Sequence, residues 1–154
     1  MANRIFSEEQ DAKGSTLVIM HSPKLALSRP YSFFLRQNAD LIDNGHGMAL
    51  TSWKDEECGV IWAEQNGNVV GFIVYDHSGL ESRGVLSIVL TAVDPEYRGR
   101  RIYAAMHKWF EELCREMGGS YVKATVSPKN ESRLKSCEQV GLKPMFIQMY
   151  KKVV

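Results

Sequence analysis

Arg98, Gly99, Arg100 and Arg101 have the clearest chemical capacity in this chain. They join an apolar run, Val85 to Val93, to a second run, Ile102 to Met117, whose apolar residues recur at helical spacing. A strand that turns through a basic, glycine-containing loop into a helix N-terminus is a natural anion site. Unpaired backbone N–H groups and the positive end of the helix dipole point at whatever sits there. Arginine adds a planar fork of donors suited to phosphate. The same loop could be read as a nucleic-acid patch. Only Tyr97 and Tyr103 interleave it, however, and a formal net charge of +1 does not fit a dedicated nucleic-acid binder. His21, His46, His77 and His107 fall at no metal spacing, and no hydrolase-type nucleophile motif surrounds Thr16 and Leu17.

The elements that would carry this loop are legible on both sides of it. Val60-Ile61-Trp62-Ala63-Glu64 and Val69 to Tyr75 flank Asn66-Gly67, a sequence suited to a tight type I′ hairpin. The run Val85 to Val93 follows as a third strand, which predicts an antiparallel meander. In the next helix, Ile102, Met106, Trp109, Phe110, Leu113 and Met117 share a face; such a Met and aromatic stripe reads as core. Gly118-Gly119 stops it. Tyr121 to Val126 alternates as a half-buried strand. Ser127-Pro128 predicts a helix start, with Leu134, Cys137 and Val140 on its apolar face and Gly141 past its end. Met145 to Tyr150 reads as a last strand. Upstream, residues 1–15 read as a loosely held arm, Leu17 to Met20 as a first strand, and the spacing of Phe33, Phe34, Leu41 and Ile42 as a helix ended by the turn Asn44-Gly45-His46-Gly47. A helix between two strands requires a crossover, so a parallel pair is expected beside the meander.

Composition narrows the class. At 154 residues, 44% hydrophobic and 24% charged, the chain suits one domain over 1–154 with a real core. Cys58, Cys114 and Cys137 are odd in number and far apart, so they read as reduced thiols of a cytoplasmic protein. No signal-peptide pattern opens the chain, and no stretch is long and apolar enough for a membrane span.

The stretch Val93-Asp94-Pro95-Glu96-Tyr97-Arg98-Gly99-Arg100-Arg101-Ile102-Tyr103 resembles the acetyl-CoA pyrophosphate loop of the GCN5-related N-acetyltransferase (GNAT) superfamily. Arg101 stands where that family has its main glycine, and Tyr103 where it has Gly or Ala. A second signature of the superfamily is matched over Asn130 to Leu142 by Asn130, Gly141 and Leu142. There Arg133 replaces a small residue, and Cys137 replaces the tyrosine often assigned as general acid. The order of elements from Leu17 to Tyr150 is also similar to that superfamily's.

The resemblance implies an α/β (α+β) fold with a mixed, mostly antiparallel sheet splayed between its middle strands and flanked by helices. It implies acetyl-CoA as co-substrate, an amine acceptor and an N-acetyltransferase, with a homodimer as one possible assembly. The cofactor-binding set would be Thr91, Val93, Arg98, Gly99, Arg100, Arg101, Ile102, Tyr103, Asn130 and Arg133. The Tyr103 ring could crowd the pyrophosphate, turn into the core, or stack on the adenine. Direct attack by an amine on the thioester needs a base, polarisation of the carbonyl and an acid for the thiolate. Val85 to Val93 carries no carboxylate, so Ser87 or Thr91 could order a water, with Glu81, Glu64, Asp76 and His77 as alternatives. Cys137 could be the acid, or simply a buried residue beside Leu134 and Val140. A fold of this kind without turnover, serving as a CoA-binding or structural module, is the alternative reading.

Overall fold

The computed structural model describes residues 3–43 and 55–147, together with 149, 151 and 153. Among these residues the strands form a six-stranded sheet in sequential order: β1 (Arg4–Gln10), β2 (Thr16–Ser22), β3 (Cys58–Gln65), β4 (Asn68–Asp76), β5 (Val85–Val93) and β6 (Tyr121–Ala124). Neighbours pair antiparallel except β5 and β6, which run parallel. The crossover between them is α3 (Ile102–Glu116), and the other helices are α1 (Tyr31–Asp43), α2 (Leu80–Arg83) and α4 (Glu131–Gln139). This is the mixed, mostly antiparallel sheet flanked by helices that the sequence led us to expect.

The hairpin forms because its turn residues accept the backbone a type I′ turn demands. Asn66 and Gly67 have φ of 51° and 77°. Both flanking strands are then buried on both faces, and alternation sorts their side chains. Ile61, Ala63 and Ile73 face a cluster closed by Ile102, Met106, Phe110 and Leu113 of α3. Val60, Trp62, Phe72 and Val74 face a cluster closed by Leu25 and by Phe34 of α1. Each fully buried large side chain contributes roughly 1.5–3 kcal/mol, so the two clusters fix the helices on opposite faces of the sheet.

Four sequence expectations change. Of the segment 1–15, expected to be a loose arm, Arg4–Gln10 is an edge strand paired with β2. Its anchor is Phe6, stacked between His21 and Trp109 with ring centroids 5.3 and 5.2 Å apart. Next, β6 ends at Ala124 rather than Val126, and α4 begins three residues after Pro128. Ser127 shapes a turn, accepting from the Lys129 N–H, while Asn130 caps the helix. Finally, 142–147 and 149 are not strand, and Met145, Phe146 and Ile147 are 82%, 85% and 91% exposed. Three consecutive apolar residues do not alternate, and their apolarity supplies no neighbouring edge to pair with. The expected turn at residues 44–47 lies outside the described residues.

Candidate functional site

β5 positions the site through two irregularities. Val74 pairs with Leu90 but Tyr75 pairs with Ile88, so Val89 is an extra residue in the β4–β5 ladder. The bulge reverses the strand's alternation. Leu86 and Ile88 lie in the α3 cluster, whereas Leu90 and Ala92 lie in the α1 cluster. The parallel pairing with β6 also stops at Ile88 and Ala124, although β5 runs on to Val93. Over 89–93 the edge of β5 that faced β6 is therefore open, and these two strands part there.

Beyond Val93 the chain makes a single 3-10 turn, Pro95–Tyr97, started by Pro95 and capped by Asp94, whose carboxylate accepts from the Glu96 N–H. The loop Arg98 to Arg101 follows. Gly99 and Arg101 both lie in the left-handed region, at φ 77° and 62°. Arg101 is the N-cap of α3 and offers no side-chain cap, so the first N–H groups of α3 are left for an outside acceptor. The position where the resemblance expects glycine thus does require a positive φ, and an arginine adopts it at a steric cost of roughly 1–2 kcal/mol.

The loop arginines point in different directions. Arg98 donates through Nε to the Val93 carbonyl at 3.2 Å, which folds it back over the strand end. Arg100 lies over the Tyr97 ring at 4.9 Å and approaches Asp11, with Nη1 3.7 Å from Oδ2. Asp11 is a fixed partner: Gln65 donates to Oδ2 at 2.8 Å, and the N–H groups of Lys13 and Ser15 donate to Oδ1. These bonds, led by that from Gln65, hold its carboxyl below the ordinary range. Ala12 in turn donates its N–H to the Arg100 carbonyl, tying the β1–β2 turn to the loop. Arg101 is exposed. An open cavity of about 590 Å³ lies on this flank, lined by Glu9, Asp11, Arg100, Arg101 and Lys108 among others. Its lining sets the carboxylates of Glu9 and Asp11 against the basic groups of Arg100, Arg101 and Lys108, which leaves a basic excess.

On the other flank α3 meets α4. The Arg133 guanidinium lies over the Tyr103 ring at 4.6 Å, and the Tyr103 and His107 ring centroids are 5.7 Å apart. Of the three orientations open to Tyr103, the ring takes the inward one, half-buried against the α3 cluster. Burial raises its pKa, while Arg133 opposes the shift. His107 is buried, with Nδ1 3.3 Å from Glu111 Oε1, and its pKa falls to about 4, first through burial and then through Arg133. Cys137, one turn beyond Arg133, is buried; desolvation pushes its thiol up and Arg133 opposes that. The sequence named His107 only as a residue outside any metal cluster. Its i,i+4 spacing from both Tyr103 and Glu111 is the signal that places the three together.

The remaining candidates disperse. Thr91 donates Oγ1 to the Phe72 carbonyl at 2.9 Å, which engages its hydroxyl with β4. Ser87 precedes the bulge, so it occupies the face opposite that of Thr91, and the two do not share one water. Glu81 is exposed in α2, before the start of β5. At roughly 3.3 Å per residue, a nine-residue strand separates it from the Arg98 to Arg101 loop by about 26 Å. Glu64 accepts from Trp62 Nε1 and Arg29 Nη1, and Asp76 accepts from the Ser78 N–H. Asn130 Oδ1 accepts from the Arg133 N–H at 3.1 Å. Ile102 is core. Among the described residues no group of three or more His, Cys, Asp or Glu could hold a metal, and no helix is long and apolar enough to cross a membrane.

The described sheet thus parts beside a bulged strand, with an uncapped helix N-terminus at that strand's end. The chain belongs to the acetyltransferase (GNAT) family, whose model matches residues 25–142. It is 32% identical over 91 residues to an uncharacterized N-acetyltransferase of Methanocaldococcus jannaschii, an alignment covering 57% of this chain and 40% of that relative. The chain therefore spans about 40% of that relative's length. A ribosomal-protein-alanine N-acetyltransferase from Brucella melitensis biovar Abortus 2308 shares the fold, with a TM-score of 0.68 at 17% identity, covering 90% of this chain and 99% of that one. Aminoglycoside N-acetyltransferase AAC(6')-Iy, solved in complex with CoA, does so with a TM-score of 0.64 at 17% identity, covering 92% and 97%.

Proposed function

We propose that this protein transfers an acetyl group from acetyl-CoA to a primary amine of a small molecule or a protein. The observation that carries the reading is the uncapped N-terminus of α3, set behind the left-handed Gly99 and Arg101 and next to the open edge of β5. In this reading the N–H groups of the first α3 turn and the exposed Arg101 hold the pyrophosphate. Backbone groups of 89–93 hold the pantetheine arm as a strand would. The amine lone pair attacks the thioester carbonyl, the C–S bond breaks, and the thiolate takes up a proton. The nitrogen loses its extra proton to water, since Ser87, Thr91 and Glu81 do not converge. The partners are thus acetyl-CoA and an amine rather than nucleic acid, and the compartment is the cytoplasm. The names of the solved relatives offer both acceptor types, an alanine of a ribosomal protein and aminoglycosides.

A second reading, a CoA-binding module without turnover, draws support from Cys137. It is buried with a raised pKa in the place of the family's general-acid tyrosine. One assay separates the two: thiol release from acetyl-CoA with polyamines, aminoglycosides and peptide N-termini offered in turn. Sustained amine-dependent release supports the transferase. A CoA-induced rise in melting temperature with no release from any amine supports the module. No thermal shift at millimolar CoA defeats both.

A further inference from the structure

The turn between β1 and β2 is folded around one buried carboxylate. The Asp11 side chain is fully covered, and its Oδ1 accepts from the N–H groups of Lys13 and Ser15 at 2.9 and 3.0 Å. The Asp11 N–H donates to the Ser15 carbonyl, and the Gly14 N–H to the Asp11 carbonyl, which closes the turn. Oδ2 accepts from Gln65 Nε2 at 2.8 Å. Gln65 ends β3 and is 3% exposed, so this bond fastens the turn to the middle of the sheet. A buried charge persists only where its partners offset the loss of water. Three N–H donors and a guanidinium 3.7 Å away do so here.

That guanidinium belongs to Arg100, the residue between the two left-handed positions Gly99 and Arg101. Arg100 is held by side chain and backbone together. Its guanidinium meets Asp11 and the Tyr97 ring, and its carbonyl accepts from the Ala12 N–H at 3.1 Å. A trans peptide keeps its C=O and N–H in one plane and pointing in opposite directions. Turning the Arg100 carbonyl toward Ala12 therefore turns the Arg101 N–H away from the β1–β2 turn. The aim of a backbone donor at the start of α3 is thus set from β1, β2 and β3.

We propose that Asp11 is a positioning residue for the loop Arg98 to Arg101: with Ala12 it fixes Arg100, and so the Arg101 peptide, in the shape that receives the pyrophosphate. The inference rests on the acetyl-CoA reading above and assigns part of that affinity to a residue that does not touch the cofactor. A loop already in its bound shape loses less entropy on binding. The same tie keeps the Arg100 guanidinium on Asp11 and off the phosphate.

The sign of one measurement separates this role from two simpler ones. CoA is strongly anionic, so neutralising a nearby carboxylate tightens its binding if Asp11 acts by charge alone. A carboxylate that only closes its own turn alters the melting temperature and leaves CoA affinity unchanged. A positioning residue weakens CoA when neutralised, against the electrostatic trend. Asp11→Asn keeps an oxygen for the Lys13 and Ser15 N–H groups, and the Gln65 amide can turn over to accept from the new amide. Calorimetric titration of CoA into the whole chain should show this variant binding about three- to tenfold more weakly than the wild type. Gln65→Met removes the tie to β3 without altering a charge. It should shift the affinity in the same direction, which guards against a misfolded Asn variant. Unchanged or tighter binding in either folded variant overturns the proposal. A wild type that takes up no CoA overturns the acetyl-CoA reading instead, and with it the role of Asp11.

Discussion

Arg101 holds a conformation that its side chain opposes. At φ 62° its Cβ crowds the following carbonyl, a cost glycine escapes, yet the turn into α3 depends on that angle. Comparing two small replacements isolates the backbone contribution from any lost arginine contact. Arg101→Gly should be more stable than Arg101→Ala by about 1 kcal/mol, a melting difference of roughly 2–4 °C for a chain of this size. Thermal melts of the two variants without ligand check this, and equal melting temperatures would mean the loop relaxes away from the left-handed region. The chain tolerates this strain, and it leaves an exposed guanidinium at the start of α3.

Among the elements, α4 shows how one residue can belong to both a motif and a scaffold. Asn130 is a motif position, but its side chain is committed as an acceptor for the Arg133 N–H. Asn130→Ala should lower stability by about 1 kcal/mol through loss of the cap and loosen the first turn that carries Arg133. A denaturant titration measures it; an unchanged midpoint would show that the turn is held by α3 instead. Strands and helices that bury a continuous apolar face were legible in the sequence, which is why β5 and α3 fall where their patterns place them. The edge strand β1 was not, because Phe6 is nearly its whole apolar signal and an edge strand is polar on its free side. The bulge at Val89 has no sequence signature either. That one extra residue puts Ser87 and Thr91, offered by the sequence as alternatives, on opposite faces. The loop was legible as the turn between β5 and α3, while the stacking of Arg133 on Tyr103 depends on how two helices distant in sequence pack.

At the scale of the molecule, two buried histidines set the response to acid. His21 Nε2 lies 2.7 Å from the Tyr75 hydroxyl, and burial drops its pKa to about 4, as it does for His107. In the unfolded chain both bind protons near 6.5, so between pH 6.5 and 4 the unfolded state holds more protons than the native state. Stability is therefore full above pH 6.5 and is lost as pH falls toward 4. At about 1.4 kcal/mol per pK unit, the upper bound on the loss is several kcal/mol. Melting curves across that range should show the decline, and His107→Gln should flatten it without abolishing it. A flat profile for the wild type would mean that neither imidazole is buried in solution.

The bond from the Ala12 N–H to the Arg100 carbonyl gives the loop before α3 a partner in the β1–β2 turn, far from it in sequence. That amide proton exchanges with solvent only when the contact opens. Its exchange rate is thus a built-in gauge of how firmly the loop is closed, read from the β1–β2 turn.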